Sequence, residues 1–312
     1  MPDRCRVCGQ PAAHAVGTHH YCDEHLERAT RRLGSLWQVD LLSVGLLVGI
    51  VVVVYALDAL LKPRLEGVPL AIAGLLLALV PAAVWLSFFY RRDRREPEPR
   101  MMVLGVAVLG ALVGSAVVIP LLRDVLDVGT RLTDSPVTFL IGSILVVGVV
   151  QEFAKYLTIR LSVYQSDEFD ERADGIVYAS AAGVGMAVAL NVAFVVESGG
   201  VDFGSAAIRI VITALAQASF AAIVGYFLAR QKLEARPLWW MPLGIMIAAT
   251  LNGLFTFLRG TVTVGAIETS GFQFGPWIGL ALAAGLALGV TIILTTLIRR
   301  EFAAPVAEAG PA

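Results

Sequence analysis

Histidine and cysteine are missing from almost the whole of this sequence. All four histidines and all three cysteines fall between Cys5 and His25, and neither residue occurs afterwards. A zinc-activated water held by imidazoles is therefore excluded from everything beyond the first segment. Charge is also scarce. Only 16% of the 312 residues are charged, against 57% hydrophobic, and the mean hydropathy is +0.76. That is the composition of a membrane protein. The formal net charge of −1 supplies no field that would attract nucleic acid. The N-terminus is polar and rich in Cys and His, unlike a cleavable signal peptide.

What the first segment does contain is ordered. Cys5 and Cys8 form a Cys-x2-Cys pair, and Cys22 and His25 form a Cys-x2-His pair after a thirteen-residue gap. Two such knuckles joined by a hairpin supply the four tetrahedral N/S ligands that Zn2+ requires. His25 is the expected fourth ligand, with His19 and His20 as alternatives. So small a module cannot support its own core, and metal binding would provide its folding energy. A closed four-ligand site is structural, and its expected role is docking.

The remainder reads as an all-α polytopic membrane domain. Apolar segments at 41–61, 69–90, 101–122, 137–163, 174–196, 206–230, 239–258 and 274–298 each meet the roughly 20-residue length of a spanning helix. The expected organisation is a zinc-binding module at 1–27, a basic connector at 28–38, eight transmembrane helices within 39–300, and a disordered tail at 301–312. Trp37, Trp239 and Trp240 read as interface anchors. Small residues four apart, at Gly110/Gly114, Gly275/Gly279 and Gly285/Gly289, read as packing seams. Basic residues concentrate in the connector, in Arg91–Arg100, in the Arg230–Arg236 loop and at Arg299–Arg300. The positive-inside rule then puts both termini in the cytoplasm. The acidic Gln165–Arg172 loop falls on that same side.

The polar residues inside the spans are few. Glu152 and Lys155, three residues apart on one helix face, lie deep in the fourth segment. Ionisable groups at that depth belong in a bundle interior. Asn191, Gln217 and Asn252 come from three other segments. Each amide needs a partner in the membrane, so a shared cluster with Glu152 and Lys155 is expected. Thr213, Ser219 and Thr250 are further polar positions in the spans, and Arg209, Asp174 and Glu197 lie near helix ends.

Three stretches resemble the PrsW family of prokaryotic multi-span membrane proteases. The Tyr90–Arg100 segment, reading Tyr-Arg-Arg-Asp-Arg-Arg-Glu-Pro-Glu-Pro-Arg, is similar to the family's basic "DRxEPEP" segment. Gln151-Glu152-x-x-Lys155 resembles its Glu-Glu-x-x-Lys motif. Asp174-Gly175-Ile176-Val177-Tyr178, continuing to Gly183 and Gly185, resembles its "DGIVYGAxxGLG" segment. Arg209 matches an arginine that often opens the following span. The resemblance covers about residues 70–258 and implies an intramembrane endopeptidase. The best-known members cleave anti-sigma factors, and relatives process prenylated proteins. By this resemblance the partner would be a transmembrane or lipidated protein in the bilayer.

Several motif positions depart from the family. Gln151 stands where the family has a first glutamate. Met186 and Leu190 replace the Phe and Glu of the next motif, although Asn191 follows as in the family. Gln217 aligns with a histidine, and Ala248 replaces the histidine that precedes Asn252 by four residues. Intramembrane hydrolysis needs a base for water and donors for the oxyanion. Gln151 cannot accept a proton, and Leu190 and Ala248 cannot polarise anything. The candidate site residues are therefore Glu152, Lys155, Asn191, Asn252, Gln151 and Gln217, with no cofactor expected in the membrane domain. Three functions compete: a catalytically impaired homologue that binds membrane proteins, an active endopeptidase built on Glu152, and a transporter or channel gated at Glu152 and Lys155. A transporter would be expected to show internal repeats or matched broken helices, and neither is evident.

The charge pattern makes a direct prediction. A cysteine introduced at Lys62 should react with a membrane-impermeant maleimide in intact cells, and one at Arg95 only after lysis. The reverse pattern would invert the topology.

Overall fold

The computed structural model describes residues 4–5, 8–16, 19–61, 67–92, 99–132, 135–197, 203–234, 236–267 and 275–302. The expected tail lies outside these residues from 303 onward. So does most of the "DRxEPEP"-like segment, at residues 93–98.

Among the described residues, eight helices are long and apolar enough to cross a membrane. They are Leu41–Leu61, Gly67–Trp85, Arg100–Val125, Pro136–Ser162, Arg172–Glu197, Phe203–Glu234, Trp240–Leu258 and Gly275–Leu294. They are called here the first to eighth spans. The chain is a multi-span membrane protein, with the eight expected segments each present. The first span belongs to a single helix of 39 residues, Asp23–Leu61. Its backbone runs unbroken through the stretch expected as a basic connector. Ahead of it, β1 (His14–Val16) and β2 (His19–Tyr21) form an antiparallel hairpin with His14 opposite Tyr21.

The fifth and sixth spans form the centre. Most of the apolar window of each is buried, at 61% and 83%, whereas the first two spans bury only 17%. Alanine and glycine make this possible, because interiors built from small residues let helix backbones meet. A Cβ on Gly175 would overlap the Gly225 carbonyl, and one on Gly183 would overlap the Gln217 carbonyl. The third span closes on the fifth in the same way, through Gly110 against Ala182 and Gly185 against Ala107. Gly114 packs against Met186 and Ala189. The expected seam at Gly285 and Gly289 is corrected here: a Cβ on either would meet no other group within 4 Å.

The fourth span begins with a strong start signal. Ser135 accepts a hydrogen bond from the Thr138 backbone N–H at 3.1 Å, and Pro136 occupies the first turn. Its middle is a π-helical stretch, Ser143–Gly148. Widening the helix there changes which face the following residues present, and such stretches are frequent at functional sites. The third span has two similar stretches, Gly114–Val118 and Leu121–Val125, on either side of Pro120. Proline has no backbone N–H and displaces the carbonyl one turn earlier, which loosens the α-helical ladder locally.

One end of the bundle is clasped by charge. Glu234 binds Arg172 at 2.9 Å, Arg230 at 2.8 Å and Arg236 at 2.5 Å. Lys232 donates to the Ser166 carbonyl at 3.0 Å and lies over the rings of Tyr164 and Phe169. These contacts fasten the acidic loop between the fourth and fifth spans to the end of the sixth.

Close approach can be tested at Gly148, where a Cβ would overlap the Ala249 carbonyl of the seventh span. Gly148→Ala should lower stability by about 1–3 kcal/mol, as overpacking does. Gly285→Ala should leave it unchanged or slightly raised, since it adds a methyl in open space and favours helix. Thermal unfolding in detergent, followed by circular dichroism, makes the comparison.

Candidate functional site

The fourth span carries Gln151, Glu152 and Lys155, all buried, with Glu152 and Lys155 wholly inaccessible. Lys155 Nζ donates to Glu152 Oε1 at 2.6 Å, and Asn252 Nδ2 donates to the same oxygen at 2.7 Å. The Asn252 amide also donates to Gln151 Oε1 at 3.0 Å. Gln217 Nε2 donates to that Gln151 oxygen at 2.8 Å. Lys155 further faces the Gln217 carbonyl at 3.5 Å and lies 5.9 Å from the centroid of the Phe220 ring. Five polar side chains from three helices thus form one buried network.

The backbone explains why they meet. The fourth and seventh spans run antiparallel, with Gly148 against Ala249 and Ile144 against Gly253. Helical side chains lean toward their own N-terminus. Gln151 and Glu152 therefore lean back toward Gly148, while Asn252 leans toward Ala249, at the same level. Gly148 is what allows the two backbones to close.

Asn191 is not part of this network. Its Nδ2 donates to the Ile210 carbonyl at 3.2 Å, bridging the fifth and sixth spans. It lies eight residues beyond Gly183, which packs at the level of Gln217, and hence about 12 Å further along the axis. The expected shared cluster is corrected to that extent: Gln217 and Asn252 join it and Asn191 does not. Thr213, Ser219 and Thr250 each bond the carbonyl four residues earlier in their own helix. Arg209 lies over the Phe194 ring at 3.5 Å, Glu197 pairs with Arg123 at 2.8 Å, and Asp174 accepts from the Asp170 and Glu171 backbones. Gly148, Gly183 and Phe220 support the cluster, and no polar signal in the sequence marks them.

Two fully buried acceptors in the network have no partner among the described residues: Glu152 Oε2 and Gln217 Oε1. A buried acceptor left unpaired is costly, so each suits a donor such as water. Chemically, the network offers one carboxylate, one ammonium and three carboxamides. Only Glu152 could take a proton from water.

The second site is the N-terminal cluster. The ligand atoms of Cys5, Cys8, Cys22 and His25 all lie within 4.8 Å of one another. Cys8 and Cys22 sulfurs are 3.8 Å apart, and Cys22 Sγ is 3.1 Å from His25 Nδ1. Bonds of about 2.3 Å to a tetrahedral ion put two sulfurs about 3.8 Å apart, so this cage can bind a metal. His25 comes from the first turn of the Asp23–Leu61 helix, while the hairpin joins the two knuckles. His14 Nε2 lies 2.5 Å from Asp23 beside the cage.

The chain is thus a polytopic helical bundle with a buried polar network shared by its fourth, sixth and seventh spans. A family model described as "PrsW family intramembrane metalloprotease" matches residues 98–285, more than half of the chain. The chain belongs to the PrsW family. It is 28% identical over 183 residues to the Bacillus subtilis protein named "Protease PrsW", covering 58% of this chain and 79% of that one. The Oceanobacillus iheyensis protein of that name is 26% identical over 181 residues, covering 58% and 80%. The Geobacillus kaustophilus one is 26% identical over 182 residues, covering 58% and 76%. No solved structure matches the chain.

The family's description implies a metal, and the donor set around Glu152 does not fit one. It contains a single carboxylate, and protein sites for a catalytic ion usually supply three ligands. Neither His nor Cys is available after residue 25. The Lys155 ammonium already holds the carboxylate at 2.6 Å. A divalent ion placed there would lie about 4 Å from it, a repulsion of about 8 kcal/mol at an effective dielectric of about 20.

The ion pair itself can be probed by a double-mutant cycle. Lys155→Met and Glu152→Gln should each destabilise by about 3–5 kcal/mol, because each strands a buried charge. The double variant should recover more than half of the summed loss. Equilibrium unfolding in mixed micelles measures all four proteins.

Proposed function

We propose that this chain is a PrsW-family homologue that has lost peptide hydrolysis and binds transmembrane or lipidated segments of other membrane proteins. One observation carries the reading. Glu152 is the only carboxylate of the network, and its Oε1 is held by both Lys155 and Asn252. The adjacent Gln151 has its own oxygen fixed by two amides. The ammonium and amide on that oxygen stabilise the ionised carboxylate and so weaken it as a base, and the neighbouring carboxamide cannot take a proton in its place. The network reads instead as a rigid polar core that holds the fourth, sixth and seventh spans together.

The remaining expectations fit this reading. The N-terminal cluster would hold structural Zn2+ and serve as a docking module in the cytoplasm. Both termini would face the cytoplasm of a bacterial cell, with the bundle in the cytoplasmic membrane. Residues 1–27 and 39–300 would act as separate functional units.

A second reading is favoured by a specific feature. Glu152 Oε2 has no partner among the described residues and could accept a hydrogen bond from a water molecule. Glu152 would then be the base, with Asn252 as oxyanion donor, in an active endopeptidase. A survey of protein termini in membrane fractions separates the two. The native strain is compared with one carrying only Glu152→Ala, at matched expression. Binding without hydrolysis gives identical termini in both strains. Termini near transmembrane segments that vanish in the variant would establish the protease.

A further inference from the structure

We propose that all divalent-metal binding by this chain resides in the N-terminal Cys5–Cys8–Cys22–His25 cage, and that the buried network at Glu152 holds none. This departs from the metal that the family description places with the enzyme. It is independent of whether the chain hydrolyses peptides, because it concerns where the ligands are.

Three observations support it. The first is the donor chemistry. Among the described residues, the only group of three or more His, Cys, Asp or Glu side chains close enough to share an ion is the N-terminal cage. The second is occupancy of the cation position. A metal bound at Glu152 would compete for an oxygen that Lys155 holds at 2.6 Å with both groups wholly inaccessible. The ammonium already neutralises the carboxylate, so a dication would bring an uncompensated charge into the bundle. The third is the surrounding amides. Asn252 and Gln217 turn N–H groups, not oxygens, toward Gln151 and Glu152. The fully buried oxygens of the network left without a partner are Glu152 Oε2 and Gln217 Oε1. One carboxylate and neutral carboxamides do not make the set of three imidazole, thiolate or carboxylate ligands that a catalytic zinc takes.

The network is thus built as the reverse of a metal site. A metal centre gathers acceptors around a cation. This one gathers donors around a carboxylate and supplies its own cation on a lysine. Both Zn2+, which suits thiolate and imidazole, and Mn2+, which suits oxygen ligands, are informative probes.

The test uses the full chain in detergent, stripped with chelator, reloaded with Zn2+, Mn2+ or Co2+ and desalted. Metal per chain is measured by mass spectrometry for the native protein, Glu152→Gln and the double variant Cys5→Ser/Cys8→Ser. The native protein and Glu152→Gln should each retain about one equivalent of Zn2+ and no Mn2+, with Co2+ showing thiolate charge-transfer absorption. The double variant should retain no metal while its helical circular dichroism persists. A second equivalent in the native protein that disappears in Glu152→Gln would overturn the proposal, as would Mn2+ retained by the double variant. Failure of the native protein to retain any Zn2+ would overturn it equally. Because Glu152→Gln leaves the cage intact, that comparison remains decisive even if the double variant loses helicity.

Discussion

A charge at bilayer depth must find its opposite, and the Glu152–Lys155 pair is the constraint around which the central helices are arranged. Lipid offers neither group a partner, so the pair has to be enclosed by protein. Enclosure by three helices requires their backbones to come close. Gly148 allows this between the fourth and seventh spans, and Gly183 and Gly175 between the fifth and sixth. The amides complete the enclosure. Asn252 binds both acidic-motif residues at once, and Gln217 reaches Gln151 from the sixth span. The polar pair and the glycine contacts are therefore two halves of one solution: burial is only affordable where the helices touch.

The eight spans were legible in the sequence because hydropathy and length act residue by residue along one helix. The N-terminal cage was legible for the same reason, since Cys-x2-Cys and Cys-x2-His spacings are local. The network was only partly legible. Composition singled out Asn191, Gln217 and Asn252 as buried amides, yet their grouping depends on levels along neighbouring helices. Asn191 sits two turns away from Gln217's level and bonds a backbone carbonyl instead. Glycines were the least legible part. Four-residue spacing pointed to Gly285 and Gly289, which meet nothing within 4 Å, and missed Gly148 and Gly183, which approach carbonyls of the neighbouring helices. Spacing along one helix says nothing about whether a second helix lies opposite. The π-helical stretch at Ser143–Gly148 was also hidden, as no proline within it marks its place.

The glutamines of the network have a physical meaning in this setting. A carboxamide at Gln151 leaves the network with one buried carboxylate, which Lys155 can pair. That carboxamide oxygen is satisfied by two neutral donors, and Gln217 supplies one of them. The two glutamines are thus mutually compatible, each accommodating the other within one network. Ala248, by contrast, is buried and apolar, and contributes only volume.

The long first helix sets the geometry of the N-terminal module. His25 and Leu41, where the first span begins, are on one continuous helix. Sixteen residues at about 1.5 Å each separate them by roughly 24 Å along the axis. The headgroup layer on one side of a bilayer is only about 5–7 Å deep. The four-ligand cage is therefore carried on a mast, well clear of lipid when the mast stands upright. Any tilt of the first span swings the cage through a wider arc than the span itself moves.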